Sequence, residues 1–167
     1  IPYLNQLNTN IIVNIAGSSI DEYLETLDIL EALKSNHIGY EINISCPNVK
    51  EGGMEFGVNP KITEKLTYKI RQRTDKLLIM KLSPNVTNIS DIAIASEQGG
   101  ADAVSAINTL VGMGIDIYKS KPRLSTVFGG LSGPAIKPIA IANVFRLSKN
   151  IDIPIIGIGG ISNSDDV

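Results

Sequence analysis

An α/β fold around a parallel sheet is predicted by the alternation of short β-branched segments with helix-period patterns along the 167-residue chain. A closed (β/α)8 barrel and an open doubly wound sheet share this alternation. The polar residues Asn43, Lys81 and Asn108 each lie at or near the end of a different predicted strand, and the Gly159–Gly160 pair ends another. Barrel enzymes build their sites at the carboxyl ends of their strands. We therefore expect a TIM-type (β/α)8 barrel, incomplete in this chain with about five of its eight βα units.

Five segments have the composition of strands. They are 10–17 (NIIVNIAG), 39–45 (GYEINIS), 77–83 (LLIMKLS), 101–108 (ADAVSAIN) and 153–160 (IPIIGIGG). Each is short and apolar, which is typical of strands that helices cover on both sides of a parallel sheet.

Four helices are predicted between these strands. The first begins after Ser19, which forms a capping box with Glu22, and its apolar residues repeat at helical spacing as far as Leu33. The second begins at Asn59 with Pro60 in its first position. The third runs from about residue 90 until two glycines stop it, and the fourth occupies roughly 134–149.

One connection, 109–133, is too long for a plain βα loop. Loops of this length are usually functional or contain structure of their own. We expect a short hairpin around Lys121–Pro122 that leans over the mouth of a site at the strand ends.

The composition excludes several classes of protein. The net charge is −2, from 15 basic and 17 acidic residues, and it does not indicate binding to nucleic acid or to an anionic membrane. No apolar run approaches the roughly 20 residues that span a bilayer. One cysteine and one histidine leave neither an intrachain disulfide nor a metal cluster, so we expect no metal and a reducing, cytoplasmic setting.

Cys46 allows two interpretations. Free cysteine is among the most often buried small residues, which favours a packing role. Its position before a proline, in a glycine-rich stretch beyond a strand, instead favours function, because catalytic groups concentrate in such loops. Asn43 and Asn48 stand on either side of Cys46. If Cys46 only packs, they cap turns; if Cys46 is functional, their amide groups bind a polar, planar ligand.

Lys81 and the glycines also leave two interpretations open. Lys81 starts from strand backbone near the barrel interior, and it either serves a site or reaches solvent from a strand end. The stretches GLSG and GIGG either make turns or hold a phosphate through backbone N–H groups. The only histidine, His37, is expected at the surface or at a helix end.

Five motifs, in chain order, resemble the dihydroorotate dehydrogenase family. They are NISCPNVKEGGMEFGVNP, KLSPNVTNI, INTLVGMGIDI, GGLSGPAIKPIA and IPIIGIGGISNSDDV. The resemblance spans essentially the whole chain. The continuation KEGGMEFG is similar to the soluble, NAD-linked subclass, whose catalytic subunit works with a separate electron-transfer subunit.

The resemblance implies an FMN-dependent barrel that oxidises dihydroorotate to orotate in pyrimidine synthesis. Cys46 matches the catalytic base, which removes the C5 proton while hydride passes from C6 to flavin N5. The resemblance places Asn43, Asn48, Asn108 and Thr109 at the substrate. It places Asn14, Asn43, Lys81, Ile107, Gly133, Gly159 and Gly160 at FMN, with Lys81 beside the flavin ring.

The same resemblance implies a partner subunit that carries an iron–sulfur (2Fe–2S) cluster and FAD and passes electrons to NAD, within a homodimer or heterotetramer. Two alternatives remain: a related flavin-dependent dihydropyrimidine dehydrogenase, and a barrel that binds flavin without turnover. The family's N-terminal strands and its last phosphate-binding loop have no counterpart in residues 1–167. We expect these residues to form the central to C-terminal part of a single FMN-binding domain, and not a complete site alone.

Overall fold

The computed structural model describes residues 3–33, 35–45 and 56–167. The helices and strands follow one another in the order β1 (Ile12–Ile15), α1 (Ile20–Ala32), β2 (Gly39–Asn43), α2 (Pro60–Arg71), β3 (Leu77–Leu82), α3 (Ile89–Gln98), β4 (Ala103–Ala106), β5 (Leu110–Met113), β6 (Ile115–Asp116), β7 (Lys121–Pro122), β8 (Phe128–Leu131), α4 (Lys137–Leu147) and β9 (Ile155–Gly157). All five predicted strands and all four predicted helices are confirmed, although each strand is shorter than its predicted segment.

The main sheet has the strand order β1-β2-β3-β4-β9, and every neighbouring pair is parallel. Each strand therefore lies beside the previous strand of the sheet along the chain, and the order never reverses. A doubly wound sheet reverses its order at a switch point, whereas a barrel wall does not. The predicted α/β class is thus confirmed, and the order agrees with part of a (β/α)8 barrel.

The two faces of this sheet differ in character. Tyr40, Ile42, Leu78, Met80 and Val104 are buried without measurable exposure and belong to the main hydrophobic cluster, together with residues of the helices. The alternate positions include the polar residues Glu41, Lys81 and Ser105, which lie on the inner face together with Ile79 and Ala103. Each large apolar side chain that is fully buried contributes roughly 1.5–3 kcal/mol, so the helix-covered face stabilises the sheet.

The helix starts follow local signals. The Ser19 side chain accepts a hydrogen bond from the Glu22 backbone N–H, and Asn59 caps α2 in the same way with Pro60 in the first turn. The predicted capping box is only half correct, because the Glu22 carboxylate accepts from the backbone N–H of Ser18. Leu33 lies beyond the end of α1 and is exposed.

The long connection 109–133 folds into two antiparallel pairs. Strand β5 pairs with β8, and β6 pairs with β7, so the connection contains the predicted hairpin and a second antiparallel pair beyond it. Lys121–Pro122 forms the second strand of the hairpin, and its turn is at 117–120. We call residues 110–131 the ribbon. Among the helices of the described residues, none is both long enough and apolar enough to cross a membrane.

The prediction for His37 is wrong. His37 is buried, with only 3% of its surface exposed, and its Nε2 lies 2.6 Å from the hydroxyl of Tyr40. That hydroxyl donates to Glu31, which also accepts hydrogen bonds from Thr74 and Lys76. Burial lowers the pKa of His37, and the nearby Lys76 charge lowers it further, against the opposing effect of Glu31. This polar cluster lies where the chain enters β2 and β3, so it belongs to the amino-terminal end of the sheet.

Replacement of Tyr40 by phenylalanine should lower the free energy of unfolding by about 1–2 kcal/mol, because the buried His37 nitrogen and the Glu31 carboxylate each lose a partner. Urea denaturation measures this change. Tyr68→Phe is the matched control, since Tyr68 is 56% exposed and should tolerate the change within about 0.5 kcal/mol. Equal effects in the two variants would contradict a stabilising role for the cluster.

Candidate functional site

The inner face of the sheet carries a polar cluster drawn from four adjacent strands. The Glu41 carboxylate on β2 accepts from Asn14 Nδ2 on β1 at 2.6 Å and from Ser105 Oγ on β4 at 2.7 Å. Its third partner is the Lys81 ammonium on β3, with Nζ 3.3 Å from Oε2. The strand register explains the arrangement, since Asn14 lies opposite Glu41 and Lys81 lies opposite Ser105. We call these four residues the inner-face cluster.

Glu41 is ionised in this cluster. Burial alone would raise the pKa of its carboxyl group, but the hydrogen bonds from Ser105 and Asn14 and the charge of Lys81 outweigh burial and lower the pKa. A buried carboxylate is otherwise costly, so its charge depends on all three partners.

A cavity of about 450 Å³ opens at the carboxyl ends of β3, β4 and β9. We call it the strand-end cavity. The residues that line it are Lys81, Ile107, Asn108, Thr109, Ser132, Gly133, Ile136, Gly157, Ile158, Gly159, Gly160 and Ile161. The structure therefore brings together, from four separate stretches of sequence, seven of the residues expected at FMN or substrate.

Asn43 joins this group through a hydrogen bond. Its Oδ1 accepts from Asn108 Nδ2 at 3.2 Å, and Asn108 Oδ1 accepts from the backbone N–H of Thr109 at 2.9 Å. Ser45 follows on the same side, and its hydroxyl donates to the backbone carbonyl of Lys81 at 3.1 Å. The ends of β2, β3 and β4 are thus tied to one another. Asn14 does not line the cavity and is exposed; it is linked to Lys81 through Glu41 of the inner-face cluster.

A second cavity, of about 530 Å³, lies between the ends of β2 and β3 and the ribbon. We call it the ribbon cavity. Ser45, Ser83 and Asn85 line one side, Phe128 and Gly130 line the ribbon side, and Thr109 borders both cavities. The long connection therefore lies over the strand ends, as expected, and lines a cavity there.

Asn85 holds the ribbon in place. Its Nδ2 donates to the Thr109 carbonyl and its Oδ1 accepts from the Val111 N–H, both at 2.9 Å. One amide side chain therefore pairs with the first strand of the ribbon much as a neighbouring strand would.

Two predicted residues, Cys46 and Asn48, lie outside the described residues. In the sequence Cys46 directly follows Ser45, which lines the ribbon cavity, and Gly57 lines the same cavity further along the chain.

The strand-end cavity suits a flavin mononucleotide in three respects. Gly133, Gly159 and Gly160 have φ values of 89°, 126° and 78°, which favour glycine and expose backbone N–H groups for a phosphate. A Cβ added to Gly133 would meet nothing within 4 Å, so the space above it is open. Ile107 and Ile136 offer apolar surface, and Lys81 supplies a cation at the wall.

Sequence reasoning did not single out Glu41, Ser105 or Asn85. Glu41 carried a signal, because an acidic residue inside an otherwise apolar strand is seldom buried without partners. Ser105 and Asn85 carried none, since small polar residues near strand ends and turns are common.

A parallel sheet in barrel order, with adjoining cavities at the carboxyl ends of its strands, is the architecture of part of a (β/α)8 barrel, a class of protein that builds its sites at that face. The family model for dihydroorotate dehydrogenase matches residues 2–167. The chain belongs to the dihydroorotate dehydrogenase family, and the resemblance in the sequence is confirmed.

Several curated relatives carry the name dihydroorotate dehydrogenase B (NAD(+)), catalytic subunit. The chain is 50% identical over 165 residues to the one from Bacteroides thetaiotaomicron and 51% identical over 166 residues to the one from Alkaliphilus metalliredigens, covering 99% of this chain in each case. It is 47% identical over all 167 residues to that of Bacillus pumilus. The chain spans 54%, about half, of the length of each relative.

Proposed function

We propose that this chain supplies the central to C-terminal part of an FMN-dependent barrel enzyme that oxidises (S)-dihydroorotate to orotate. The observation that carries this proposal is the strand-end cavity, which gathers Lys81, Asn108, Thr109 and the three positive-φ glycines at one face of a barrel-ordered sheet. Membership of the dihydroorotate dehydrogenase family supports the choice of substrate.

Bound FMN supplies the acceptor for the hydride that leaves C6 of the substrate. The chain's own contribution to the reaction is a base, and we assign it to Cys46, whose thiolate takes the proton from C5. A thiol with an ordinary pKa of about 8.5 is partly ionised near neutral pH, which suits a general base. Cys46 directly follows Ser45, so it is attached to a residue anchored on β3.

The amide side chains position the substrate. Asn43 and Asn108 are already hydrogen-bonded to each other, and Thr109 lies beside them between the two cavities. We propose that Asn43, Asn48, Asn108 and Thr109 bind the polar edges of dihydroorotate, with Asn43 also contacting FMN. Gly133, Gly159 and Gly160 bind the phosphate, and Lys81 and Ile107 form part of the cofactor wall. Asn14 contacts the cofactor from the inner-face cluster beside that wall.

The relatives' names call them NAD(+)-type catalytic subunits. By analogy we propose that electrons leave this protein for NAD through a partner subunit with an iron–sulfur cluster and FAD. We expect the protein to be a homodimer or a heterotetramer in the cytoplasm.

The test is flavin binding followed by reduction. The protein that carries this chain should be yellow after gel filtration, and anaerobic dihydroorotate should bleach its flavin absorbance. Dihydrouracil is the matched comparison, because it lacks the carboxylate of dihydroorotate. Faster bleaching by dihydrouracil would instead support a dihydropyrimidine dehydrogenase, and a flavin that neither substrate bleaches would support a binding protein without turnover.

Asn85 gives a prediction on the ribbon. Asn85→Ala removes the hydrogen bonds to Thr109 and Val111 that hold the start of the ribbon. The net loss of about 0.5–1.5 kcal/mol should raise the KM for dihydroorotate by about 2- to 10-fold with little change in kcat. Steady-state kinetics measure this split. Asn150→Ala, at the exposed end of α4, serves as the control. A fall in kcat with an unchanged KM would contradict the role assigned to Asn85.

A further inference from the structure

Glu41 lies in the middle of β2, where the neighbouring strand positions Tyr40 and Ile42 are fully buried. Its side chain is 17% exposed and accepts hydrogen bonds from Asn14, Lys81 and Ser105, one from each of three other strands. A carboxylate on a sheet face needs such a set of partners, because an unpaired buried charge costs several kcal/mol. An apolar residue would stabilise a simple wall as well or better, so the carboxylate calls for a reason beyond stability.

The position of Lys81 supplies that reason. Lys81 lines the strand-end cavity, whereas Glu41 does not. A lysine side chain is a flexible four-carbon chain, so its ammonium group stays in one position only if another group binds it. The Glu41 Oε2 atom, fixed in turn by Asn14 at 2.6 Å, is the acidic group within ion-pair distance of Lys81 Nζ in the described part of the chain.

We propose that Glu41 is a positioning residue that holds the Lys81 ammonium at the wall of the strand-end cavity and offsets part of its charge there. This inference rests on the proposed function where it concerns FMN. Since a cation favours the negatively charged reduced flavin, Lys81 raises the reduction potential and the Glu41 carboxylate restrains that rise.

The experiment compares charge variants of nearly constant shape. Glu41→Gln keeps the size and removes the negative charge, so the midpoint potential of bound FMN should rise above that of the unmodified protein. Lys81→Ala should lower it. A purely structural tie between strands would not shift the potential in opposite directions in these two variants.

The chain provides a matched control in Glu31, a carboxylate that also accepts from three side chains, including Lys76. It lies at the other end of the strands, away from both cavities. Glu31→Gln should lower thermal stability and leave the FMN potential unchanged.

A second measurement needs no flavin. Trace acetylation with acetic anhydride, followed by mass spectrometry, reports how freely each lysine amine reacts. Glu41→Gln should increase acetylation of Lys81 severalfold relative to Lys76, and Glu31→Gln should do the reverse. The two lysines suit this comparison because their side chains are similarly covered, at 21% and 30% exposure.

The outcomes separate the two proposals. If the unmodified protein retains no FMN, the proposed function fails, and acetylation of Lys81 alone decides the inference on Glu41. Unchanged acetylation of Lys81 in Glu41→Gln overturns the inference, as does an unchanged or lowered potential in a Glu41→Gln protein that retains FMN. If Glu41→Gln does not fold, Glu41→Asp replaces it, since aspartate keeps the charge on a shorter side chain. Acetylation of Lys81 should then rise, with a smaller shift in the FMN potential. Unchanged acetylation of Lys81 in Glu41→Asp would overturn the inference.

Discussion

Cys46→Ala should leave FMN bound and slow its reduction by dihydroorotate by about 10²–10⁴-fold at neutral pH, the usual contribution of a positioned general base. Alanine removes the only group that we assign to the C5 proton, while the cavity residues expected at FMN remain in place. Stopped-flow absorbance under anaerobic conditions measures the rate directly, because flavin loses its yellow colour on reduction.

Cys46→Ser provides the companion experiment. A hydroxyl can accept the proton only when it is ionised or assisted, so the serine variant should be slow at neutral pH and recover as the pH rises. The unmodified protein should reach its full rate at a lower pH than the serine variant. A Cys46→Ala protein that is reduced at nearly the unmodified rate would remove Cys46 from the mechanism.

The elements of the fold were predictable because their signals are local. The N-cap residues Ser19 and Asn59 and the proline that follows Asn59 mark helix starts through hydrogen bonds within a single turn. The five strands were predictable as apolar segments, but their ends were not. Where a strand stops pairing depends on its neighbours, as at Asn43, whose side chain turns to Asn108 across the sheet.

The candidate site was predictable where a family motif marked it and not where only tertiary packing defined it. Lys81 and the glycines stand in recognisable stretches of sequence, and the structure gathers them at one cavity. His37 and Glu41 show the opposite case. His37 is buried because Tyr40, three residues further on, pairs with its ring and with Glu31, whose other partners Thr74 and Lys76 are distant in sequence. Glu41 is half-buried, and its partners stand on three other strands. A local sequence pattern does not contain those distant contacts.

Gly160→Ala is expected to weaken FMN binding strongly. Gly160 has φ +78°, and an added Cβ would lie 2.7 Å from the backbone nitrogen of Lys137 at the start of α4. The substituted segment would relax toward negative φ and turn its N–H groups away from the phosphate. Binding would then have to restore the strained conformation, which costs about 1–3 kcal/mol and corresponds to about a 5- to 150-fold loss of affinity.

Gly157→Ala is the matched control, because it adds a methyl group to the same cavity without a positive φ or a close backbone contact. Gly157 lines the same cavity, but its φ is not positive, and a Cβ there would meet only the Val144 side chain at an ordinary 3.7 Å. Fluorescence titration of FMN into each apoprotein gives the dissociation constants. We expect the loss of affinity for Gly160→Ala to exceed that for Gly157→Ala by at least about tenfold, or about 1.4 kcal/mol. Equal losses would mean that any added methyl group in this cavity weakens binding, and that the local backbone at Gly160 has no special part in binding the phosphate.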